Sequence, residues 1–258
     1  MIFAGVALAR RLEAAEAAIA RGCAERQPGS AVLEAGGGVA LFQGADSPLT
    51  QAVGLGLNGP VAKAELNAIE AFFRARGAPV RIDLCPLADA GLLDSLGRRG
   101  YRVTEFNNVL VRQLASPEIT LTPRVRRALP DECDVWAHAA GCGFFEQAEL
   151  TEAEMDVGRA IFTMPGALCY LATSEAGESS GGGALATCGS MAMLFADSTV
   201  PCHRRQGVHR ELIAARLNEA AALGCDTATA STAPGSQSQR NYERMGFQVA
   251  YTKITLVG

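Results

Sequence analysis

At 258 residues, 48% hydrophobic and 19% charged, the chain has ordinary globular composition and enough length for one large or two small domains. Its formal net charge of −4 argues against a general nucleic-acid binder, which carries a basic surplus. No segment has the roughly 20 uninterrupted apolar residues of a membrane span, so neither nucleic acid nor membrane is an expected partner.

The N-terminal stretch MIFAGVALARRLEAAEAAIARG places its short apolar run before its arginines, the reverse of a secretory signal. It reads as a packing or surface helix, and a cytoplasmic location with reduced thiols is expected. A helix follows over Ala64 to Gly77. Then come a strand (PVRIDLCP), a short helix (ADAGLLDSLGRRG) and a β-tail (YRVTEFNNVLV). A linker is expected near Ala115 to Pro130. Helices are expected over Val135 to Phe145 and Glu146 to Phe162, then a strand over Ala167 to Thr173. A loose hairpin follows, with Gly181 to Gly183 as its flexible turn. An apolar strand, Met191 to Val200, precedes a basic turn and an Ala/Leu-rich helix. Thr227 to Thr232 reads as strand, and a Ser-capped helix then runs to Met245 and stops at Gly246.

The chain repeats itself. Ala64 to Val111 matches Arg210 to Val257, with Gly100 mapping to Gly246 and Glu65 to Glu211 at one offset (246 − 100 = 211 − 65). Two copies of one αβαβ unit divide the chain into expected domains 1–118 and 119–258.

Eight cysteines are scattered without a C-x-x-C, and only three histidines accompany them, so no metal is expected. The chemistry concentrates in VPCHRRQGVHREL, Val200 to Leu212. A strand, a Gly-containing turn and a helix in that order aim successive backbone N–H groups from a positive helix end, as a phosphate or pyrophosphate site requires. Neither G-x-G-x-x-G nor G-x-x-x-x-G-K-[ST] is present. What stands there is Arg204-x-x-Gly207-x-His209. Downstream, Tyr242 lies four residues before Gly246-Phe247.

These two motifs, in this order, resemble the coenzyme A pyrophosphate loop, [QR]-x-x-G-x-[GA], and the C-terminal element of the GNAT acetyltransferase superfamily. His209 departs from the final Gly/Ala. The resemblance covers roughly Thr122 to Gly258. It implies an α/β fold with a mixed sheet, here two GNAT-like domains in tandem, and acetyl-CoA as co-substrate. The first copy has Pro60 in place of an Arg-x-x-Gly turn and Leu96 where Tyr242 maps (242 − 146), so it is expected to lack the cofactor site.

The resemblance places the pantetheine arm beside Ser198, Thr199 and Val200. It places the pyrophosphate on Arg204, Arg205, Gln206, Gly207, Val208, His209 and Arg210, with Asn241 and Tyr242 also near the cofactor. Tyr242 is the implied donor to the leaving sulfur. Asp197 and Glu146 are the candidate bases, and either is equally readable as a plain surface carboxylate. The implied activity is N-acetylation of a primary amine on a small molecule or a protein, with a homodimer as one open assembly. Two other readings stand: a non-catalytic acyl-CoA-binding or sensing module, and a nucleotide-binding protein using the same turn.

Overall fold

Buried apolar residues at helical and strand spacing, punctuated by turn glycines, break the chain into short elements; the computed structural model describes residues 4–114 and 123–258. In chain order these are α1 (Val6–Ala24), β1 (Ala31–Ala35), β2 (Gly38–Phe42), β3 (Gln51–Val53), α2 (Lys63–Arg74), β4 (Arg81–Leu84), α3 (Ala90–Arg98) and β5 (Arg102–Gln113). Then follow β6 (Val125–Arg127), α4 (Cys133–Phe145), α5 (Glu152–Phe162), β7 (Leu168–Thr173), β8 (Ser179–Cys188) and β9 (Met191–Thr199). The chain continues with α6 (Val208–Ala222), β10 (Thr227–Thr232), α7 (Gln237–Arg244) and β11 (Gln248–Val257). The expected linker near 115–130 lies outside the described residues as far as 122.

Two compact units form. The first is drawn from Met1–Val109, Ser231–Pro234 and Val249–Gly258, the second from Leu110–Ala230 and Gly235–Gln248. The repeat is visible in the elements themselves, since β5 starts at Arg102 and β11 at Gln248, again 146 apart (248 − 102). The units do not follow the division at 118/119, however. In the first unit β11 lies antiparallel to β4, with Ile254 opposite Leu84 and Val257 opposite Arg81. In the second, the end of β5 lies along β10: Leu114 N donates to Asp226 O at 2.8 Å and Thr229 Oγ1 to Leu110 O at 2.9 Å. Each repeat's terminal strand therefore sits beside the other repeat's strand. Equivalent strands present equivalent edges, so either can fill either place.

The first unit has strand order β1-β2-β3-β4-β11-β5. Leu66, Ile69, Phe72 and Phe73 form one face of α2 and pack on Ile82, Leu84, Leu92, Leu96 and Leu256. Beside this core lies a buried polar cluster. Lys253 Nζ stands 2.6 Å from Glu16 Oε2 and 3.3 Å from Glu13 Oε2. Tyr251 donates its hydroxyl to Glu13 at 2.7 Å, and Thr255 donates to Asp83 at 2.7 Å. Three carboxylates face one ammonium. Burial raises the Glu13 carboxyl to about 6, with Lys253 opposing and Glu16 adding to the rise.

In the second unit β6, β7, β8 and β9 run antiparallel in turn, and β10 joins β9 in parallel. Gly181 to Gly183 are not a hairpin turn. They lie inside β8, all buried, at ordinary negative φ. Their role is spatial. A Cβ on Gly181 would stand 3.1 Å from Val208 of α6. One on Gly182 would stand 3.2 Å from Ala140 of α4, and one on Gly183 would stand 2.9 Å from the Arg216 guanidinium. Bare backbone lets helices approach β8 from both faces. The second helix of this unit also starts later than expected. Thr151 and Glu154 form a capping box that opens α5 at Glu152, while Glu146 ends α4 in the left-handed region at φ 58°.

Two consequences are measurable. Gly183→Ala should lower stability by about 1–3 kcal/mol, read as an earlier thermal transition, because the new methyl meets a pinned guanidinium. Glu13 has a folded-state pKa above its ordinary 4.5, so its contribution is full below that value and is lost as pH rises through about 6. Denaturant unfolding of the wild type should show this loss, on the order of 2 kcal/mol, and Glu13→Gln should flatten the profile across that window.

Candidate active site

The site begins where two strands separate. β9 pairs with β10 only at Met191, Ala192 and Met193, opposite Thr227, Ala228 and Thr229. Beyond Met193, β9 continues to Thr199 without that ladder, so its edge toward β10 opens. On its other side β9 stays paired with β8, but the register shifts between Gly182 and Ala184. Ala196 takes up the extra residue at φ 51°, an uncommon conformation for a side-chain-bearing residue. Past the bulge the alternation is shifted by one residue. Ser198 turns to α4 and donates to Ala140 O at 2.5 Å, while Asp197 turns to α6 and α7.

Asp197 is the hub of a buried network. Its side chain is 6% exposed, and Oδ1 lies 2.9 Å from Nη1 of Arg216, which is fully buried. His209 Nε2 lies 2.9 Å from Oδ2, and the Tyr242 hydroxyl donates to the same oxygen. A carboxylate only accepts, so Nε2 of His209 carries hydrogen. Nδ1 then accepts from Asn241 Nδ2 at 3.0 Å. Burial alone would raise Asp197, but Arg216 and His209 outweigh it and hold the carboxyl well below its usual range. Burial and the Asp197 charge push the Tyr242 phenol well above its ordinary value, so it stays protonated. Its ring stacks edge-on against His209 at 5.6 Å and Phe247 at 4.9 Å.

The basic turn follows a short 3-10 helix, Pro201–His203. Arg205 at φ 65° and Gly207 at φ 84° bracket Gln206, and Gly207 is the N-cap of α6. A Cβ on Gly207 would meet the end of the Glu211 side chain at 3.5 Å and that of Arg124 at 4.0 Å. Arg204 through Gly207 and Arg210 are exposed, whereas Val208 is buried against Tyr170, Ala172, Leu212 and Ala215. Val200 closes the strand end by donating to Ser180 O at 3.0 Å. Thr199 pairs with Gly181.

The residues singled out from sequence thus separate into two groups. Asp197, His209, Asn241 and Tyr242 come together in the interior, with the imidazole facing Asp197 rather than the turn. Glu146 lies outside that group and pairs with Arg204 at 3.2 Å, and Arg204 also reaches Gly143 O at 3.3 Å. Sequence reasoning missed Arg216, the counter-ion of the whole network. Two signals pointed to it: an arginine flanked by Leu212, Ile213, Ala215 and Leu217, and a lone acid in an apolar strand. Among the described residues, no three His, Cys, Asp or Glu side chains converge as metal ligands, and no helix is long and apolar enough to cross a membrane.

A bulged strand that parts from its parallel neighbour and feeds a glycine-capped helix defines a fold class: the chain has the fold of the GCN5-related N-acetyltransferases. It is similar to a GCN5-related N-acetyltransferase from Kribbella flavida at 20% identity, with 96% of this chain and 94% of that chain covered and a TM-score of 0.69. It is also similar to a tandem GNAT protein from the clavulanic acid biosynthesis pathway at 15% identity, with 100% and 96% covered and a TM-score of 0.63. A GCN5-related N-acetyltransferase from Sphaerobacter thermophilus aligns at 13% identity over 89% of this chain and 75% of its own, with a TM-score of 0.59. No family model matches the chain, and no curated protein matches it in sequence.

Asp197→Asn tests the hub. It keeps the shape but leaves Arg216 buried without a counter-charge, so unfolding free energy should fall by about 3–5 kcal/mol. A variant as stable as the wild type in chemical denaturation would show that the network holds nothing together.

Proposed function

We propose that the second unit is an acetyl-CoA-dependent acetyltransferase acting on a primary amine of a small molecule or a protein. The observation that carries this reading is the conjunction of the open β9 edge and the exposed glycine-capped turn at one end of the same strand. The turn suits a pyrophosphate through backbone amides at a positive helix end, with Arg204, Arg205 and Arg210 adding charge. The β9 edge offers backbone groups to an extended amide-bearing arm and a donor to a thioester carbonyl. The first copy carries no Arg-x-x-Gly turn in its sequence, and its role is scaffold.

Three chemical needs remain: a neutral amine, a polarised carbonyl and a proton for the departing thiolate. Tyr242 brings a hydroxyl that stays protonated at ordinary pH to the interior group, so it is the candidate for the sulfur. To act there, its hydroxyl must exchange Asp197 for the sulfur. Asp197 is saturated by three donors and is acidic, which suits an anchor better than a base. Glu146, at 72% side-chain exposure, is the carboxylate that solvent reaches, and it takes the base role in this proposal.

A second reading is a binding module that holds acyl-CoA without turnover. The observation that favours it is that the Tyr242 hydroxyl and Asp197 occupy one another. Titration calorimetry with coenzyme A tests the shared part. Gly207→Glu should weaken binding about tenfold or more by setting a carboxylate against the phosphates. Unchanged affinity in the folded variant would place the phosphates elsewhere. Thiol release from acetyl-CoA with a panel of amines separates the readings, since turnover that falls at least tenfold in Tyr242→Phe supports the enzyme and no release with any amine supports the module.

A further inference from the structure

Both units contain a helix that follows a strand and carries a glutamate in its first turn: Glu65 in α2 and Glu211 in α6. The two glutamates behave differently. Glu65 folds back on its own helix end, accepting from Ala62 N at 2.8 Å and from Gly36 N at 2.8 Å. In the first unit the carboxylate thus ties its helix end to the β1–β2 turn. Glu211 instead pairs with a cation. Arg124, just ahead of β6, donates Nε to Glu211 Oε2 at 3.1 Å and Nη2 to Oε1.

Arg124 makes a second contact that matters as much. Its Nη2 donates to Gln206 O at 3.0 Å. The Gln206–Gly207 peptide is planar and trans, so fixing its carbonyl fixes the Gly207 N–H in the opposite direction, away from Arg124. Arg205 and Gly207 flank Gln206 at positive φ, the left-handed geometry from which anion-binding nests are built. The arginine is itself anchored, since its carbonyl accepts from Thr173 N at 2.9 Å.

We infer that Arg124 is a positioning residue for the anion turn: it holds the Gln206 carbonyl and pairs with the Glu211 carboxylate that stands beside Gly207, so that a phosphate meets the turn with that negative charge offset. This rests on the proposed function only for the identity of the anion. Arg124 acts through Gln206 and Glu211 and does not itself touch the ligand. The resemblance motif does not include it, since it precedes the turn by 80 residues (204 − 124).

The test is a mutant cycle on the full-length protein, titrated with coenzyme A and separately with inorganic pyrophosphate. Arg124→Gln should weaken both about tenfold, because it leaves the Glu211 carboxylate beside Gly207 without its counter-charge and the Gln206 carbonyl without its donor. Glu211→Gln alone should keep or raise the affinity. The double variant should regain most of what Arg124→Gln loses, which neither a direct phosphate ligand nor a merely structural residue would do. A double variant as weak as Arg124→Gln overturns the inference, as does an Arg124→Gln protein that binds like the wild type. Wild-type binding of pyrophosphate but not coenzyme A would sink the proposed co-substrate and leave this inference to be read from the pyrophosphate arms. Binding of neither overturns both. Thermal melts of all variants confirm that folded protein is compared.

Discussion

The Arg216–Asp197 ion pair is the constraint on which the second unit's site depends. A guanidinium at zero exposure requires a partner, and the one it has sits on β9. That partner reaches it only because Ala196 adopts a left-handed conformation, and the guanidinium fits only because residue 183 has no side chain. Once Asp197 is anchored, it orients His209 and Tyr242 from α6 and α7. The helix that carries the basic turn and the helix that carries Tyr242 are thereby referred to one carboxylate. Strain at the bulge, space at the glycines and charge at the hub form one arrangement rather than three devices.

Much of this was legible in the chain. The 146-residue offset exposed the repeat, and the Arg204/Gly207 and Tyr242/Gly246-Phe247 spacings pointed to the turn and to α7. What escaped has identifiable causes. The three glycines of β8 read as a turn because glycine is a frequent turn residue, yet here the missing Cβ serves packing, which only the facing helices reveal. Asp197 could not be oriented by alternation, since a bulge reverses alternation and no residue type announced one at Ala196. The start of α5 was readable after all, in Thr151-x-x-Glu154, and was obscured by helix-favouring residues ahead of it. The exchange of terminal strands left no local mark, because equivalent strands carry equivalent patterns.

The two copies also differ at a helix end without a change of fold. In both, a glutamate stands within one turn of the N-terminus. In α2 the carboxylate accepts from Ala62 N and Gly36 N, and Pro60 has already removed a donor nearby. In α6 the carboxylate pairs with Arg124, just ahead of β6. One helix end is thus tied to backbone amides and the other to a guanidinium supplied from outside the repeated segment.

The exchange of β5 and β11 bears on how the polypeptide matures. β4 ends at Leu84, and the residues that pair with its edge start at Ile254, 170 residues further on (254 − 84). During synthesis, most of the second unit leaves the ribosome before the first can complete its sheet. The nascent β4 edge must stay unpaired over that interval, when an open edge is most prone to capture by another chain. Sequence order and completion order therefore diverge: the earlier half is finished by residues translated after most of the later one.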